Sequence, residues 1–437
     1  MAAPILDTTA PLGAGTGAGP GYRATLSLLA TLFFMWGFIT VINGTLLPHL
    51  RSVFDLNYTQ TTLIESVWFI AYFIASIPSA KLIERIGYKA SIVAGLVIMA
   101  FGAVLMVPAS MIPSYGVVLA ALFIIAAGIT LLQVAANPYV AVIGSPETSS
   151  SRLNLVQAFN SMGTTFAPLF GGYLILGRST SGTAAAGAVL TPAERLADAQ
   201  SVQLPYLIVA AVLVVLAVAI ARFRLPDMNA STRGVARERL HPWWHIWRHP
   251  LWGHRNLVLG VPAIFIYLIA EIGVGNLFIN FVSTPEIGNL THEQASHYLF
   301  LLWGGMMVGR FLGSYLMQRI PAETVLAAFS VGALVVMLIA TFTTGPVAMW
   351  ALISVGLFHS IMFPTIFTLG IRGLGPLTEE GSGLLIMAIA GGALVIVQGW
   401  LADAYGLQLS FLLTAACELY VLFYALWGAK PVAVAAD

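Results

Sequence analysis

The sequence predicts an all-α integral membrane protein, with twelve transmembrane helices in two pseudo-symmetric six-helix bundles. Three observations lead to this fold: the apolar composition, the length of the apolar runs, and a weak repeat between the two halves. Hydrophobic residues make up 59% of the chain and charged residues 8%, whereas a soluble domain carries about 25% charge. Because no water-soluble fold could hide so much apolar surface, the solvent must be lipid, where the backbone forms helices or a closed barrel.

The apolar runs are long and apolar on all faces, which favours helices over the alternating strands of a barrel. A helix crosses the hydrocarbon with about 20 apolar residues, whereas a barrel strand needs about 10. The predicted spans are residues 25–48, 60–80, 89–110, 115–141, 152–176, 204–223, 258–282, 296–318, 322–343, 347–370, 381–402 and 408–428.

The placement of basic residues predicts that both termini lie in the cytoplasm, because short cytoplasmic loops collect Lys and Arg. The joints after spans two, six and eight hold Lys81, Arg85, Lys89, Arg222, Arg224, Arg233, Arg237, Arg239, Arg248, Arg255, Arg310 and Arg319. The joints on the other side hold only Arg51, Arg178 and Arg195.

The chain divides at its Arg-rich centre. We predict a disordered cytoplasmic tail (1–24), an N-terminal bundle (25–223), a cytoplasmic linker with an interfacial helix (224–257), a C-terminal bundle (258–428) and a second tail (429–437). In the linker, His241, His245 and His249 recur every four residues, a spacing that can share a metal. No cysteine accompanies them, and the neighbouring tryptophans favour a helix at the lipid headgroups. We therefore predict no metal and no cofactor.

The two halves resemble each other weakly. Residues 82–86 (LIERI) after span two match residues 316–320 (LMQRI) after span eight, and Pro138 in span four corresponds to Pro364 in span ten. Aligning the prolines places Gln133 opposite His359. Two such halves with a site between them, near the middle of the bilayer, are the architecture of rocking transporters.

Polar residues inside the spans are the candidate substrate ligands, because burying them without a partner costs several kcal/mol. Most are neutral amides, which donate and accept hydrogen bonds and suit a neutral polyhydroxylated ligand; an anionic one would need a basic residue in mid-span, and we expect none there. The alternative is that these groups only join helices to one another. The candidates are Trp36, Asn43, Gln133, Asn137, Gln157, Asn160, Asn276, Asn280 and His359.

Glu271 is the favoured coupling group, because a carboxylate in mid-membrane is costly as an anion and can carry a proton. Gly273 and Gly275 follow it, so that span seven could unwind and expose carbonyls suited to Na⁺. Glu65 and His359 are further ion-coupling candidates. Two other acids, Asp403 and Glu418, are expected closer to span ends or the bundle edge, where snorkelling or a structural pair is favoured over a coupling role.

The residues Ala80-x-x-x-Glu84-Arg85-x-Gly87-Tyr88-Lys89 resemble the loop signature of the major facilitator superfamily. The resemblance implies that Glu84 and Arg85, with Arg319 in the second half, form a gate at the inner ends of the spans. More specific stretches are similar to the fucose:proton symporter family, and within it to the bacterial glucose/galactose branch. They are FFMWGF at 33–38, LLPHLRSVFDLNYTQ at 46–60, RIGYKASIVAGL at 85–96, LFIIAAGITLLQVAANPYVAVIG at 122–144, SSRLNLVQAFNSMGTTFAP at 150–168 and FPTIFTLGI at 363–371.

This resemblance implies a multi-pass protein of the bacterial inner membrane that imports a monosaccharide, driven by H⁺ or Na⁺. The family's sugar-contacting asparagine falls on Asn160, whereas its two acids fall on Gly44 and Gln133. Coupling therefore depends on Glu271, Glu65 or His359, or the protein is an uncoupled facilitator. An exporter of another small molecule and a membrane-embedded enzyme or sensor are further alternatives, but no clustered catalytic set favours an enzyme. We expect a monomer whose partners are the monosaccharide and the lipid bilayer, with no nucleic acid.

Overall fold

The protein is described here by a computed structural model that covers residues 20–45, 58–111, 114–174, 203–223, 225 and 250–430. Within these ranges, the structure does not describe the side chains of residues 20–21, 41–45, 58–65, 168–174, 292–293 and 296. The predicted interfacial helix of the linker and most of both predicted tails also lie outside it.

The N-terminal half consists of six long helices. They are α1 (Pro20–Thr45), α2 (Tyr58–Ile86), α3 (Tyr88–Met111), α4 (Tyr115–Val142), α5 (Ser149–Leu174) and α6 (Gln203–Arg222). Gly87 separates α2 from α3 with a φ of 83°, a conformation in which glycine meets no steric cost. Its N–H donates to the Ile83 carbonyl at 2.7 Å, which closes the last turn of α2.

The C-terminal half begins with three unbroken helices, α7 (Arg255–Ser283), α8 (His292–Leu316) and α9 (Ala322–Phe342). Thr291 and Gln294 form a capping box that starts α8, satisfying two of the free N–H groups of its first turn. The suggested unwinding of span seven at Gly273 is wrong, because α7 continues through it. An added Cβ at Gly273 would meet the Gln398 side chain, so this glycine serves close packing.

Spans ten, eleven and twelve are each built from more than one helical segment. Span ten is α10 (Gly345–His359) followed by α11 (Met362–Ile371). Span eleven is α12 (Thr378–Met387), a 3₁₀ turn (Ala388–Leu394) and α13 (Val395–Tyr405), and span twelve is α14 (Leu407–Ser410) with α15 (Leu412–Phe423). The breaks of the C-terminal half therefore lie in the later spans.

The prediction of an all-α membrane protein is confirmed. Eleven segments of the described residues are long and apolar enough to cross a membrane. The twelfth span is α5. Its many polar side chains make it less apolar than the other eleven spans, and its position between α1 and α8 places it inside the bundle.

Two glycines bring α1 and α5 into backbone contact. A Cβ added at Gly37 would meet the Asn160 carbonyl oxygen, and one added at Gly163 would meet the Phe34 carbonyl oxygen. Small residues at such crossings let membrane helices approach closely. This contact holds the polar face of α5 next to α1.

The two halves meet where α5 packs on α8 and α11, and where α2 packs on α12. Three pairs of polar residues hydrogen-bond across the first two turns of α5: Ser150 with Thr368 at 2.6 Å, Ser151 with Ser314 at 2.7 Å, and Asn154 with Thr365 at 3.1 Å. These contacts close one end of the interface between the halves.

Candidate functional site

The predicted amides of α4 and α5 lie side by side in the N-terminal half. The Gln133 Nε2 donates to the hydroxyl of Tyr72 on α2, and both side chains are buried. One turn further along α4, the Asn137 Oδ1 accepts from Gln157 Nε2 at 3.4 Å. The Asn137 Nδ2 is buried and has no hydrogen-bond partner among the described residues. Such a group is an available donor for a polar ligand.

Asn160 and Trp36 border these amides on the side of α1. The Asn160 Nδ2 donates to the Phe33 carbonyl at 2.9 Å, so the amide joins α5 to α1 while its side chain stays half-buried. The Trp36 ring is buried beside the Phe33 ring, with centroids 5.2 Å apart. Six of the nine substrate-binding candidates thus lie on α1, α4 and α5, the sixth being Asn43 of α1, whose side chain lies outside the description.

Arg310 was assigned from the sequence to the loop after span eight, and this assignment is wrong. It lies inside α8, and its side chain is buried between the two halves. Its Nη1 donates to the Gln157 carbonyl at 3.1 Å and to the Ser161 hydroxyl, and its Nε donates to the Ser360 carbonyl at 3.0 Å. The expectation of no basic residue in mid-span is therefore also wrong. Because protein acceptors engage this guanidinium, it does not require an anionic ligand.

Glu271 lies on α7 and is partly buried. Its carboxyl group interacts electrostatically with the Tyr267 hydroxyl, one turn earlier on the same helix. Its charge also interacts with the guanidinium of Arg310. An acid and a base from neighbouring helices thus share the polar interface between the halves.

His359 ends α10 and is buried with Glu418 of α15. Its Nε2 lies 2.8 Å from the Glu418 Oε1, with side-chain exposures of 3% and 0%. The expected position of Glu418 near a span end or the bundle edge is wrong, because its side chain is fully enclosed. Tyr267 donates its hydroxyl to the His359 carbonyl at 2.9 Å, which connects this pair to the α7 face that carries Glu271.

The remaining candidates lie on α1, α2, α7 and the turn after α8. Asn276 and Asn280 are exposed on α7, and the side chains of Asn43 and Glu65 lie outside the description. At the end of α2, the Glu84 charge interacts with Lys81, Arg85, Glu379 and Glu380. The Arg319 guanidinium lies 5.2 Å from the ring of Tyr315 in its own half.

Metal binding has no support in the described residues, where no group of three or more His, Cys, Asp or Glu side chains is placed to hold an ion. The three linker histidines lie outside the description.

Sequence reasoning missed the roles of Tyr72, Tyr267, Arg310 and Glu418. For Arg310 a signal existed, since it falls well inside the predicted span 296–318. The contacts of Tyr72 and Glu418 join distant helices and leave no local pattern in the sequence.

A sequence model described as Major Facilitator Superfamily matches residues 28–396. The chain belongs to the major facilitator superfamily. Members of this superfamily with similar sequences include a glucose/galactose transporter of Brucella abortus biovar 1 (strain 9-941), 45% identical over 97% of this chain and 99% of the relative. An L-fucose-proton symporter of Escherichia coli (strain K12) is 35% identical over 94% of each chain.

Among solved structures, the crystal structure of the transporter FucP in the outward conformation superposes with a TM-score of 0.82. It is 34% identical in sequence and matches 94% of this chain and 100% of that chain. The predicted two-bundle fold and the resemblance to the fucose:proton symporter family are confirmed. As a member of this transporter superfamily, the chain is a multi-pass membrane protein and not an enzyme.

Proposed function

We propose that this chain imports a monosaccharide of the hexose type across the bacterial inner membrane by alternating access, coupled to H⁺ or Na⁺. The proposal is carried by the cluster of buried carboxamides, Gln133, Asn137 and Gln157, next to the inter-half contact made by Arg310. Neutral amides pair with hydroxyl groups as donors and acceptors. The names of the relatives, a glucose/galactose transporter and an L-fucose-proton symporter, support a sugar as substrate.

Alternating access requires an interface that closes at one end at a time. The contacts between α5, α8 and α11 close one end, at the joints that follow spans four, eight and ten. With both termini in the cytoplasm, as the basic residues predict, this end faces the cytoplasm and the sugar enters from outside. The similarity to FucP in its outward conformation supports this orientation.

A sugar facilitator without coupling is a second candidate, favoured by Gly44 at the position of a family acid. Against it, Glu271 and His359 supply ionisable groups in the C-terminal half. One chain supplies both halves of the interface, which supports the predicted monomer. We propose the monosaccharide and the lipid bilayer as its partners, with no nucleic acid and no cofactor beyond the coupling ion.

Uptake by the purified full-length protein in liposomes tests this function. Radiolabelled D-glucose, D-galactose and L-fucose are offered with and without an inward gradient of H⁺ or Na⁺. We expect saturable exchange of at least one sugar, and uphill accumulation with one of the two gradients. Exchange without any gradient-driven accumulation would select the facilitator, and no exchange of any monosaccharide would refute the proposal.

A further inference from the structure

His359 and Glu418 form a buried ionisable pair in the middle of the C-terminal half. The distance from Nε2 to Oε1 is 2.8 Å, and neither side chain reaches the surface. A buried pair of this kind contributes little to stability beyond what apolar residues of the same volume would give. Ionisable residues inside a membrane protein are functional candidates for that reason.

We propose that His359 and Glu418 together bind the coupling proton, an inference that rests on the proposed sugar transport. The proton is taken from the outer compartment, held between Nε2 and Oε1, and released to the cytoplasm. Neutral imidazole and carboxylate together carry one negative charge, and the bound proton makes the pair neutral overall. The only bond formed on uptake and broken on release is N–H or O–H.

The hydrogen bonds of Glu418 fit a group that changes its protonation. Its Oε1 contacts His359, whereas its Oε2 is buried and lacks a hydrogen-bond partner in the described part of the chain. A carboxylate that stays charged in a protein interior needs partners for both oxygens.

Tyr267 connects the pair to the interface between the halves. Its hydroxyl donates to the His359 carbonyl at 2.9 Å, and its ring packs edge-on against the imidazole with centroids 5.7 Å apart. The same hydroxyl interacts electrostatically with Glu271, which is partly exposed. Tyr267 therefore connects the sealed pair to a second, less buried carboxyl group.

In the described part of the chain, the charged and titratable groups on the surrounding helices include Tyr267 and Glu271 on α7, Arg310 on α8, Cys417 and Tyr420 beside Glu418 on α15, and Glu323 in the first turn of α9, where Arg372 pairs with it at 2.8 Å.

The break in span ten links the pair to the contact between the halves. Because Pro364 has no N–H, it cannot donate to the Ser360 carbonyl, which would be its partner in a continuous helix. The Nε of Arg310 donates to that carbonyl instead, at 3.0 Å, and its Nη1 reaches the Gln157 carbonyl of the other half. A shift of His359 on protonation is thus transmitted, through the next residue, to the guanidinium that joins the halves.

The test compares the double variant His359→Gln/Glu418→Gln with the wild type in liposomes. The two amides can still hydrogen-bond each other, but neither binds a proton near neutral pH. A gradient of one pH unit supports about tenfold accumulation for one proton per sugar, equivalent to about 1.4 kcal/mol. We expect the wild type to approach this ratio and the double variant not to accumulate sugar. Glu418→Gln alone, which leaves the candidate sugar ligand His359 in place, is expected to lose accumulation in the same way while exchange without a gradient persists, and it replaces the double variant should that not fold.

Glu323→Gln is the matched control, because it removes a carboxylate from a half-exposed pair with Arg372 in the same bundle. It is expected to accumulate sugar like the wild type. Wild-type accumulation by either pair variant under a pH gradient would overturn the assignment, as would a wild type driven by Na⁺ but not by pH. Neither result would contradict the proposed sugar transport, which is refuted only if the wild type exchanges no monosaccharide.

Discussion

Arg310 of α8 donates a hydrogen bond from Nη1 to the hydroxyl of Ser161 on α5, so one buried guanidinium joins the two halves. Its remaining bonds go to the carbonyls of Gln157 and Ser360. All three acceptors are neutral, and a buried cation needs such partners to offset its desolvation. Because no carboxylate is required on the opposite half, this contact can break and re-form as the halves rock.

Arg310→Lys should slow sugar exchange by about tenfold or more. Lysine keeps the charge but has a single compact head that cannot reach acceptors on two helices as the planar guanidinium does. A hydrogen bond from a charged donor contributes about 1.5–3 kcal/mol. Initial exchange rates in liposomes measure the effect, with Arg372→Lys as the control on the half-exposed pair with Glu323. An Arg310→Lys rate equal to that of the wild type would show that the guanidinium contact is dispensable.

The helices could be predicted from the sequence because lipid forces every apolar run of sufficient length into one structure. Their polar contacts could not be predicted to the same degree. The rule that basic residues collect in cytoplasmic loops placed Arg310 in a joint, although it is held inside the bundle by carbonyls of two other helices. Glu418 finds its partner 59 residues away, a distance at which sequence spacing carries no signal.

The position of the helix break in the C-terminal half also could not be predicted from the sequence with certainty. Glycines suggested unwinding in span seven, but Gly273 packs against Gln398 in a continuous helix. The proline signal in span ten was present at Pro364, and there the helix does break, between His359 and Met362. The equivalent Pro138 lies inside an unbroken α4, so a proline alone does not decide the outcome.

Asn137→Ala should weaken sugar binding by about 2- to 12-fold. Its Nδ2 is the buried donor without a protein partner in the described residues, and a hydrogen bond contributes about 0.5–1.5 kcal/mol. The sugar concentration that gives half-maximal exchange is the measurement. Gln203→Ala is the control, because that amide joins α6 to Ser110 of α3 at 3.0 Å, far from the interface. Equal affinities in Asn137→Ala and the wild type would remove Asn137 from the site.

Glu271→Gln should abolish ion-driven accumulation while sugar exchange continues. The amide keeps the size of the side chain, but it can neither pass on a proton nor balance the charge of Arg310. Uptake with and without an imposed gradient distinguishes the two activities. Unchanged uphill uptake in this variant would remove Glu271 from the mechanism, whereas a loss of exchange as well would assign it a role in closing the interface.

Gly163→Val should lower both the stability of the protein and its affinity for sugar. A Cβ at this position would meet the Phe34 carbonyl oxygen and the Phe38 nitrogen of α1, so the two helices must separate. Overpacking of this kind costs about 1–3 kcal/mol, and the separation would also break the bond from Asn160 to the Phe33 carbonyl. Thermal unfolding of the purified protein, with and without sugar, measures the two effects.

Gly304→Val on α8 is the matched control, because a Cβ there meets no atom within 4 Å. If both variants unfold at the same temperature, the close contact of α1 and α5 does not limit stability. If Gly163→Val unfolds at a lower temperature yet binds sugar normally, the role of Asn160 does not depend on that contact.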